Sequence, residues 1–420
     1  MKTAISSGIP RTIKNYSTPK GLAAYLSNLR VIFGVALIVR LIFVAFLKEG
    51  FYFSDFRAYD TAALHLLAGE GFVEDYARPP LYPLFLAANY WLLGTYMLPV
   101  RIVQCALGAL FSVLLFLLTK RLLSENSARI AAWISVFYPY SVFVSGLLYP
   151  TLLTAFLLLC VVFWLTTAYQ KHSWGLAACA AVALGLASLA TPVSLAFLPF
   201  VVLWFLFFSG WKLRRSLFYS LICVSFVAAT LTPWLYHSYQ QYGHFVLIDG
   251  RAAKHLPSLD AASPLGDESS NLGAGVWRTI KTQPGAFIGN MAKEFIHFWA
   301  FVPDRVVTDK IAYRQKVHQV DQRMIVSHPF TSSGLRWVSI LSYGPVFFLA
   351  ILGLYYGFKH WRLLSLPFLL LMSHALGYSL FFTQVRYRLP VEFCLMILAA
   401  KGGEALLHKL TAKSYHLGEN

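Results

Sequence analysis

Residues Ser54–Pro83 read SDFRAYDTAALHLLAGEGFVEDYARPPLYP and carry a dense group of acids soon after a long apolar run. The acids are Asp55, Asp60, Glu70, Glu74 and Asp75. The stretch is too short to fold as a domain, so its role depends on the apolar segments on either side of it. Those segments approach the length of membrane-spanning helices, so the role of this stretch also depends on which side of the membrane it faces.

Composition places the chain in the membrane. Only 13% of its 420 residues are charged and 58% are hydrophobic, whereas soluble domains carry about 25% charged residues. Together with the repeated apolar runs, this predicts an all-α polytopic membrane protein. The net charge of +17 is better explained by a basic excess in cytoplasmic loops than by nucleic-acid binding, so we expect membrane lipids and no nucleic acid as partners.

The apolar runs predict about ten to eleven transmembrane helices. Leu81–Leu93 is shorter and contains a proline, so it either lies in the outer interface or forms an eleventh span. The other ten runs are Val31–Leu47, Pro99–Leu118, Ile130–Leu147, Leu152–Ala168, Trp174–Leu189, Val193–Phe208, Ser216–Leu235, Trp337–Gly357, Leu363–Phe382 and Leu389–Ala400.

Charge orients these helices. Ten spans place both termini on one side, and the basic residues of the short connections share that side, which is therefore the cytoplasm: Lys120, Arg121, Arg129, Lys171, Lys212, Arg214, Arg215, Lys359, Arg362 and Lys401. Of the 18 acids, 14 fall in two outer loops. The predicted divisions begin with a cytoplasmic tail at 1–30 and a transmembrane bundle at 31–235, which includes a first outer loop at 48–80. A large outer loop at 236–336, the last spans at 337–400 and a second cytoplasmic tail at 401–420 follow.

The large outer loop contains one segment with helical periodicity. Its middle, Pro257–Gly275, is rich in Gly, Ser, Pro and Asp, as is typical of a loop. Pro284–Trp299 then places apolar side chains at steps of three and four. This spacing predicts an amphipathic helix on the outer leaflet or over a cavity.

The distribution of acids favours an enzyme whose site opens outward. Transporters usually keep acids within their spans, but here Glu392 is the only prominent one. Asp55 follows the first span closely, where a carboxylate can act as a general base, although a solvated turn residue is the commoner role of a loop Asp. Arg78 before two prolines, and Arg386 and Arg388 before the last span, can clamp a phosphate or anchor the chain at the interface; the sequence leaves both open.

Other chemistries lack the residue patterns they need. The outer loops show no Asp-x-Asp pair and no histidine spacing typical of a metal site, so we expect neither a metal nor a cofactor. The sequence contains no GxSxG, HExxH or P-loop motif. The five cysteines lie inside apolar runs and show no disulfide framework.

Several segments together resemble a known family. SDFRAYDTAALHLLAGEGF…ARPPLYPLFLA, TPWLYHSYQQYGHFVLIDG, QPGAFIGNMAKEFIHFWAF and RYRLPVEFCLMILAA are similar, in order, to the bacterial protein mannosyltransferase and aminoarabinose transferase-like group of GT-C membrane glycosyltransferases. The resemblance implies a GT-C-like bundle in the bacterial inner membrane and a site on the periplasmic or extracellular side. It also implies a polyprenyl-phosphate sugar donor and inversion by single displacement. In this family the catalytic residue is a carboxylate just after the first helix, here Asp55, which serves as the general base.

The resemblance leaves the acceptor open among a lipid, a glycan and a protein. Donor phosphate binding is predicted for Arg78, Arg386 and Arg388. Further candidates for substrate binding are Tyr59, Asp60, Tyr82, His237 and Arg251. Two alternatives remain from the sequence: a flippase or transporter of lipid-linked sugars, which would not need Asp55, and an O-antigen ligase or polymerase, which would take its sugars from a diphosphate lipid.

Overall fold

A computed structural model describes most of the chain as a bundle of helices. The described residues are 20–47, 50, 54–72, 78–242, 280–302, 333–381 and 383–418. Arg251 and most of the predicted large outer loop lie outside them. Within the described residues there are helices and connections but no strands, and the predicted all-α polytopic class is confirmed.

The first half of the bundle follows the predicted apolar runs, except that Ile130–Leu147 and Val193–Phe208 are each divided into shorter helical pieces. Its helices, which we number along the chain, are α1 Lys20–Leu26, α2 Leu29–Ala45, α3 Ser54–Leu67, α4 Leu81–Leu93, α5 Met97–Leu122, α6 Glu125–Phe137, α7 Pro139–Phe143, α8 Thr151–Lys171, α9 Trp174–Ala190, α10 Phe197–Leu203 and α11 Leu213–Tyr242. Short 3-10 turns occupy Val144–Gly146 and Pro192–Ala196, and a π-helical turn occupies Trp204–Phe208.

The second half contains the outer amphipathic helix and the last long helices. These are α12 Pro284–Phe298, α13 Ser333–Gly357, α14 Trp361–Ser379 and α15 Glu392–Gly418. Short 3-10 turns lie at Phe358–His360, Val385–Tyr387 and Leu389–Val391. The sequence prediction of a helix at Pro284–Trp299 is confirmed to within one residue.

Four stretches of the described residues are long and apolar enough to cross a membrane: Met97–Leu122, Thr151–Lys171, Leu213–Gln241 and Arg336–Ser379, the last of which contains two helices. Three further apolar helices are shorter, at Leu81–Leu93, Trp174–Ala190 and Pro192–Phe208. The 13 residues of α4 rise about 20 Å, less than a hydrocarbon core of about 30 Å. This length favours the interfacial placement of α4 over an eleventh span.

Glycines allow α13 and α15 to cross at backbone contact. A Cβ added at Gly353 would overlap the carbonyl oxygen of Leu398, and one added at Gly402 would overlap that of Leu349. Small residues at such a crossing let two helices approach closely, which is how helices in membranes gain packing energy. The crossing fixes α15 in the bundle, and the turns that precede α15 carry Arg386 and Arg388.

The first outer segment is more ordered than a loop. Ser54–Leu67 forms helix α3, and its buried face packs on α4 through Phe56, Tyr59, Ala63, Tyr82 and Leu86. Asp55 lies in the first turn of α3. The catalytic candidate therefore stands on a helix supported by an aromatic cluster.

Candidate active site

Asp55 lies between two arginines that come from distant parts of the chain. The Arg78 guanidinium donates to Asp55 Oδ1 at 2.9 Å, and Arg386 Nη1 lies 3.6 Å from Asp55 Oδ2. The Asp55 and Arg386 side chains are partly exposed, by 27% and 37%, and that of Arg78 by 14%. Three of the residues predicted for the site are therefore brought together at a surface that solvent reaches.

Local structure fixes each of these three side chains. Asp55 stands at the start of α3, Arg78 precedes Pro79-Pro80, and Arg386 lies in the 3-10 turn Val385–Tyr387. The two prolines restrict the backbone next to Arg78 to an extended turn. The positions of the charges are thus set by a helix start, a proline pair and a short turn, none of which requires a flexible loop.

Tyrosine rings form the floor under the charges. The Arg78 guanidinium carbon lies 5.2 Å from the centre of the Tyr59 ring, and that of Arg386 lies 5.6 Å from the Tyr149 ring. Tyr59 and Tyr149 meet edge to face, with centroids 5.8 Å apart. Cation–π contacts of this kind hold a guanidinium in place while leaving its N–H groups able to donate.

The charges of the two arginines are stable. Burial lowers the pKa of Arg78, but the charge and hydrogen-bond interactions with Asp55 and Tyr59 together outweigh it and raise the pKa above its usual value. Burial also opposes the charge of Arg386, whereas Tyr149, Tyr387 and Asp55 raise its pKa. Burial raises the pKa of Tyr59 well above its usual value, so its hydroxyl stays protonated.

Tyr149 is a site residue that the sequence analysis missed. It lies two residues before α8 and contacts Tyr59, Phe56 and Arg386. The available signal was its Tyr-Pro dipeptide at a helix start, which repeats the Tyr82-Pro83 pattern of α4. An aromatic residue in the short connection between two apolar runs gave no other indication of its role.

Tyr82 and Asp60 lie beneath the site. Tyr82 is fully buried and donates its hydroxyl to Gln104 Oε1 at 2.9 Å. Asp60 is 4% exposed and accepts from the Tyr90 hydroxyl at 2.5 Å. These contacts hold α3, α4 and α5 together, so the structure favours a supporting position for both residues over direct contact with a substrate.

Arg388 does not join Arg78 and Arg386. Its side chain is fully buried, its Nε donates to Glu392 Oε1 at 2.8 Å, and its Nη1 donates to the carbonyl oxygens of Phe298 and Ala300. Its guanidinium also lies over the Tyr343 ring at 3.5 Å. These contacts engage the Arg388 guanidinium within the protein. We therefore do not assign the predicted phosphate-binding role to Arg388.

His237 lies on α11, where its ring contacts Phe72 of the first outer segment. Its ring contacts Phe72 and Trp234, with centroids 5.8 and 5.6 Å away. Gln241, one turn further along α11, donates to the Phe72 carbonyl at 2.7 Å. The structure therefore places His237 where α11 meets the end of the segment that begins with Asp55.

Within the parts of the chain that the structure describes, no three or more His, Cys, Asp and Glu side chains are arranged to hold a metal ion. Two guanidiniums present N–H groups to Asp55, and such groups bind anions. The arrangement is suited to an anionic ligand next to a carboxylate that accepts a proton.

A family model and solved structures match the chain. Residues 77–237 match the family of dolichyl-phosphate-mannose-protein mannosyltransferases, which confirms the resemblance seen in the sequence over a range that contains Arg78 and Tyr149. No curated protein sequence matches the chain.

Among solved structures, the apo oligosaccharyltransferase of Archaeoglobus fulgidus superposes with a TM-score of 0.58 at 14% identity, over 96% of this chain and 52% of that one. The apo form of ArnT from Cupriavidus metallidurans gives 0.57 at 16% identity, over 89% and 59%. ArnT bound to undecaprenyl phosphate gives 0.55 at 14% identity, over 92% and 60%.

These matches establish the fold. The chain has the polytopic helical architecture of GT-C membrane enzymes, and it spans between about half and three fifths of the length of the structures it resembles. At this level of identity the shared fold does not by itself carry an activity over to the chain.

Proposed function

We propose that this chain of GT-C fold is a membrane glycosyltransferase that transfers a sugar from a polyprenyl-phosphate donor to an acceptor hydroxyl. The observation that carries the proposal is the ion-paired cluster of Asp55, Arg78 and Arg386 at a partly exposed surface. The family match over residues 77–237 and the similar fold of an ArnT structure bound to undecaprenyl phosphate support the choice of donor.

Charge balance explains why one carboxylate stands with two guanidiniums. With Asp55 ionised, the cluster carries a surplus of one positive charge. The phosphodiester of a polyprenyl-phosphate sugar carries one negative charge, so donor binding neutralises the site. When the phosphate takes over N–H groups of the two guanidiniums, the Asp55 carboxylate is released to accept from an acceptor hydroxyl.

The same balance holds through the reaction. The acceptor oxygen bonds to the anomeric carbon, the bond from that carbon to the phosphate oxygen breaks, and the hydroxyl proton passes to Asp55. The leaving polyprenyl phosphate then carries a second negative charge, which the two arginines neutralise as Asp55 loses its own. The single displacement inverts the anomeric carbon, and no general acid is needed because phosphate leaves as an anion.

Tyr59 and Tyr149 serve as the apolar floor of this site. Their rings lie under the two guanidiniums, and their burial limits the access of water to the region behind the charges. Excluding water strengthens each charge interaction above the floor and reduces hydrolysis of the donor. We place the site on the periplasmic or extracellular side of a bacterial inner membrane, in agreement with the acids of the outer loops.

The proposal is tested by mass analysis of glycolipids, surface glycans and glycoproteins in a strain that lacks this chain. We expect one sugar to disappear from one acceptor class, to return with the wild-type chain, and to stay absent with Asp55→Asn produced at an equal level. A flippase would lower the outer supply of lipid-linked sugar and would be restored by Asp55→Asn. That outcome would replace the glycosyltransferase proposal.

A further inference from the structure

The amphipathic helix α12 packs on the bundle through a polar residue as well as through apolar ones. Phe298 at its end is fully buried, and Glu294, one turn earlier, is 9% exposed. Ile288 and Ile296 lie on the opposite, exposed face. A buried carboxylate on an otherwise apolar face has to be satisfied by donors, because its desolvation costs several kcal/mol otherwise.

One donor to Glu294 is the backbone that leads to the candidate active site. Glu294 Oε2 accepts from the Thr383 N–H at 2.8 Å in a buried environment. Thr383 lies three residues before Arg386. A buried backbone N–H that pairs with a carboxylate oxygen is costly to leave unpaired, so this hydrogen bond restrains the backbone at this point.

The other end of the same short segment is held by the end of α12. Arg388 donates from Nη1 to the carbonyl oxygens of Phe298 and Ala300, at 2.9 and 3.0 Å. The last carbonyls of a helix have no partner within it and carry partial negative charge, so a buried guanidinium satisfies them. Tyr387 between these points stacks on Tyr378 of α14, with centroids 4.4 Å apart.

We infer that Glu294 and Arg388 are positioning residues for Arg386. They hold the segment Thr383–Arg388 against α12 on both sides of Arg386, so that its guanidinium faces Asp55 at 3.6 Å. This inference rests on the proposed function, because it assigns to the helix of the large outer loop the task of placing a donor-binding arginine. Glu294 contributes an acceptor for the Thr383 N–H rather than a proton or a contact with the sugar.

The geometry is tested first without any ligand. Hydrogen exchange of the backbone amides in residues 383–387 is measured in the full-length protein in detergent for wild type, Glu294→Leu and Glu294→Gln. We expect faster exchange in Glu294→Leu, and exchange near the wild-type rate in Glu294→Gln, whose amide oxygen can accept the same N–H. Glu404→Leu, which removes a buried carboxylate elsewhere, is the matched control and leaves these amides protected.

The consequence for the site is tested by binding of undecaprenyl phosphate to the same variants. We expect Glu294→Leu to weaken binding roughly tenfold, the scale of one charge-assisted contact, and to weaken it no further when Arg386 is already Ala. Such non-additivity shows that two residues act through one interaction.

The outcomes separate the two proposals. Unchanged exchange in Glu294→Leu, or losses of binding that add fully to those of Arg386→Ala, would overturn the positioning role. Faster exchange with binding that neither Glu294→Leu nor Arg386→Ala affects would leave the positioning of the segment standing and would overturn the phosphate role of Arg386 in the proposed function.

Discussion

Asp55 and Glu404 are both carboxylates that contact basic side chains, but their surroundings differ. Glu404 is 8% exposed and accepts from the Ser124 and Ser127 hydroxyls and the Lys401 ammonium group, at 2.6, 2.7 and 2.8 Å. Asp55 has a side chain that is 27% exposed and is paired with two guanidiniums. Glu404 is matched by a single cation in a nearly buried environment. The two guanidiniums beside Asp55 leave a positive surplus at a partly exposed surface.

This difference indicates what each cluster is for. Glu404 joins the start of α6 to α15 and has its charge balanced within the protein, so no further ligand is needed. The charges of Asp55, Arg78 and Arg386 sum to +1, which a bound anion would neutralise, and the partial exposure of the three side chains allows an anion to reach them. Glu404 therefore holds helices together, whereas we propose that Asp55 is placed for chemistry.

The largest effect is expected from removing the charge of Asp55. Asp55→Asn should lower sugar transfer at least about a hundredfold, the usual scale for the loss of a general base. The amide keeps the size of the side chain, so the folded fraction should stay near that of wild type. The measurement is the transfer rate per folded molecule with saturating donor, and turnover near the wild-type rate would remove Asp55 from the mechanism.

The next effect concerns the two arginines that pair with Asp55. Arg78→Ala and Arg386→Ala should each slow transfer or weaken donor binding by roughly ten- to a hundredfold, since each charge-assisted contact contributes about 1.5–3 kcal/mol. Lysine should restore only part of the loss, because an ammonium group lacks the planar fork of a guanidinium. The kinetics and the expression level are both measured for the Ala and Lys variants.

Interface anchoring of Arg78 and Arg386 predicts a different pattern. If anchoring is their role, lysine substitutes fully and alanine lowers expression without changing the rate per folded molecule. A set of Lys variants equal to wild type would therefore contradict the comparison, because the positive surplus next to Asp55 would then have no function in binding.

Much of the fold could be predicted from the sequence, because apolar runs report burial in a membrane directly. α12 was predicted to within one residue, since its apolar side chains recur at helical spacing. Helix α3 was missed as a helix because its acids suggested a loop, although its Tyr59 and Ala63 face a neighbouring helix. Membrane sidedness and the predicted division into tails and loops stay predictions.

The site could be predicted only in part. Asp55, Arg78 and Arg386 were identified from their types and their places next to spans, and the structure brings them together. Arg386 and Arg388 are two residues apart and look alike in the sequence, yet one is 37% exposed and the other is buried against Glu392. Which of two such neighbours faces the site depends on the packing of α12, which lies about ninety residues earlier.

A smaller effect, on stability alone, is expected at Glu404. Glu404→Gln keeps one acceptor but loses the ion pair, so the free energy of unfolding should fall by about 1–2 kcal/mol while transfer per folded molecule stays unchanged. Burial raises the pKa of Glu404, but Lys401, Ser124 and Ser127 outweigh it and hold the pKa below its usual 4.5.

The pH dependence of this effect has a defined sign. Because the folded pKa is depressed, the stabilisation is present above about pH 4.5 and is lost as the pH falls through the lowered pKa. Unfolding midpoints of wild type and Glu404→Gln in detergent, measured from neutral to acidic pH, should converge at the acidic end. A loss of transfer in Glu404→Gln would show that this carboxylate is more than a structural contact.

The smallest effect is expected from chelators. The two guanidiniums already balance Asp55 and a bound phosphodiester, so a divalent cation would leave the site with a surplus of two positive charges instead of neutral. The guanidinium pair also supplies planar donors for the departing phosphate. Transfer by the purified protein should therefore stay within about twofold of its original rate in excess chelator, because losing a charged group from the site would slow transfer by more than that.

Activity that chelators abolish and Mg²⁺ or Mn²⁺ restores would show that the positive surplus next to Asp55 comes from a metal as well as from Arg78 and Arg386. The comparison with Glu404 would then have to be made with the ion included, and Asp60, buried beneath the site and bonded to Tyr90, would be the first residue to test as an additional ligand.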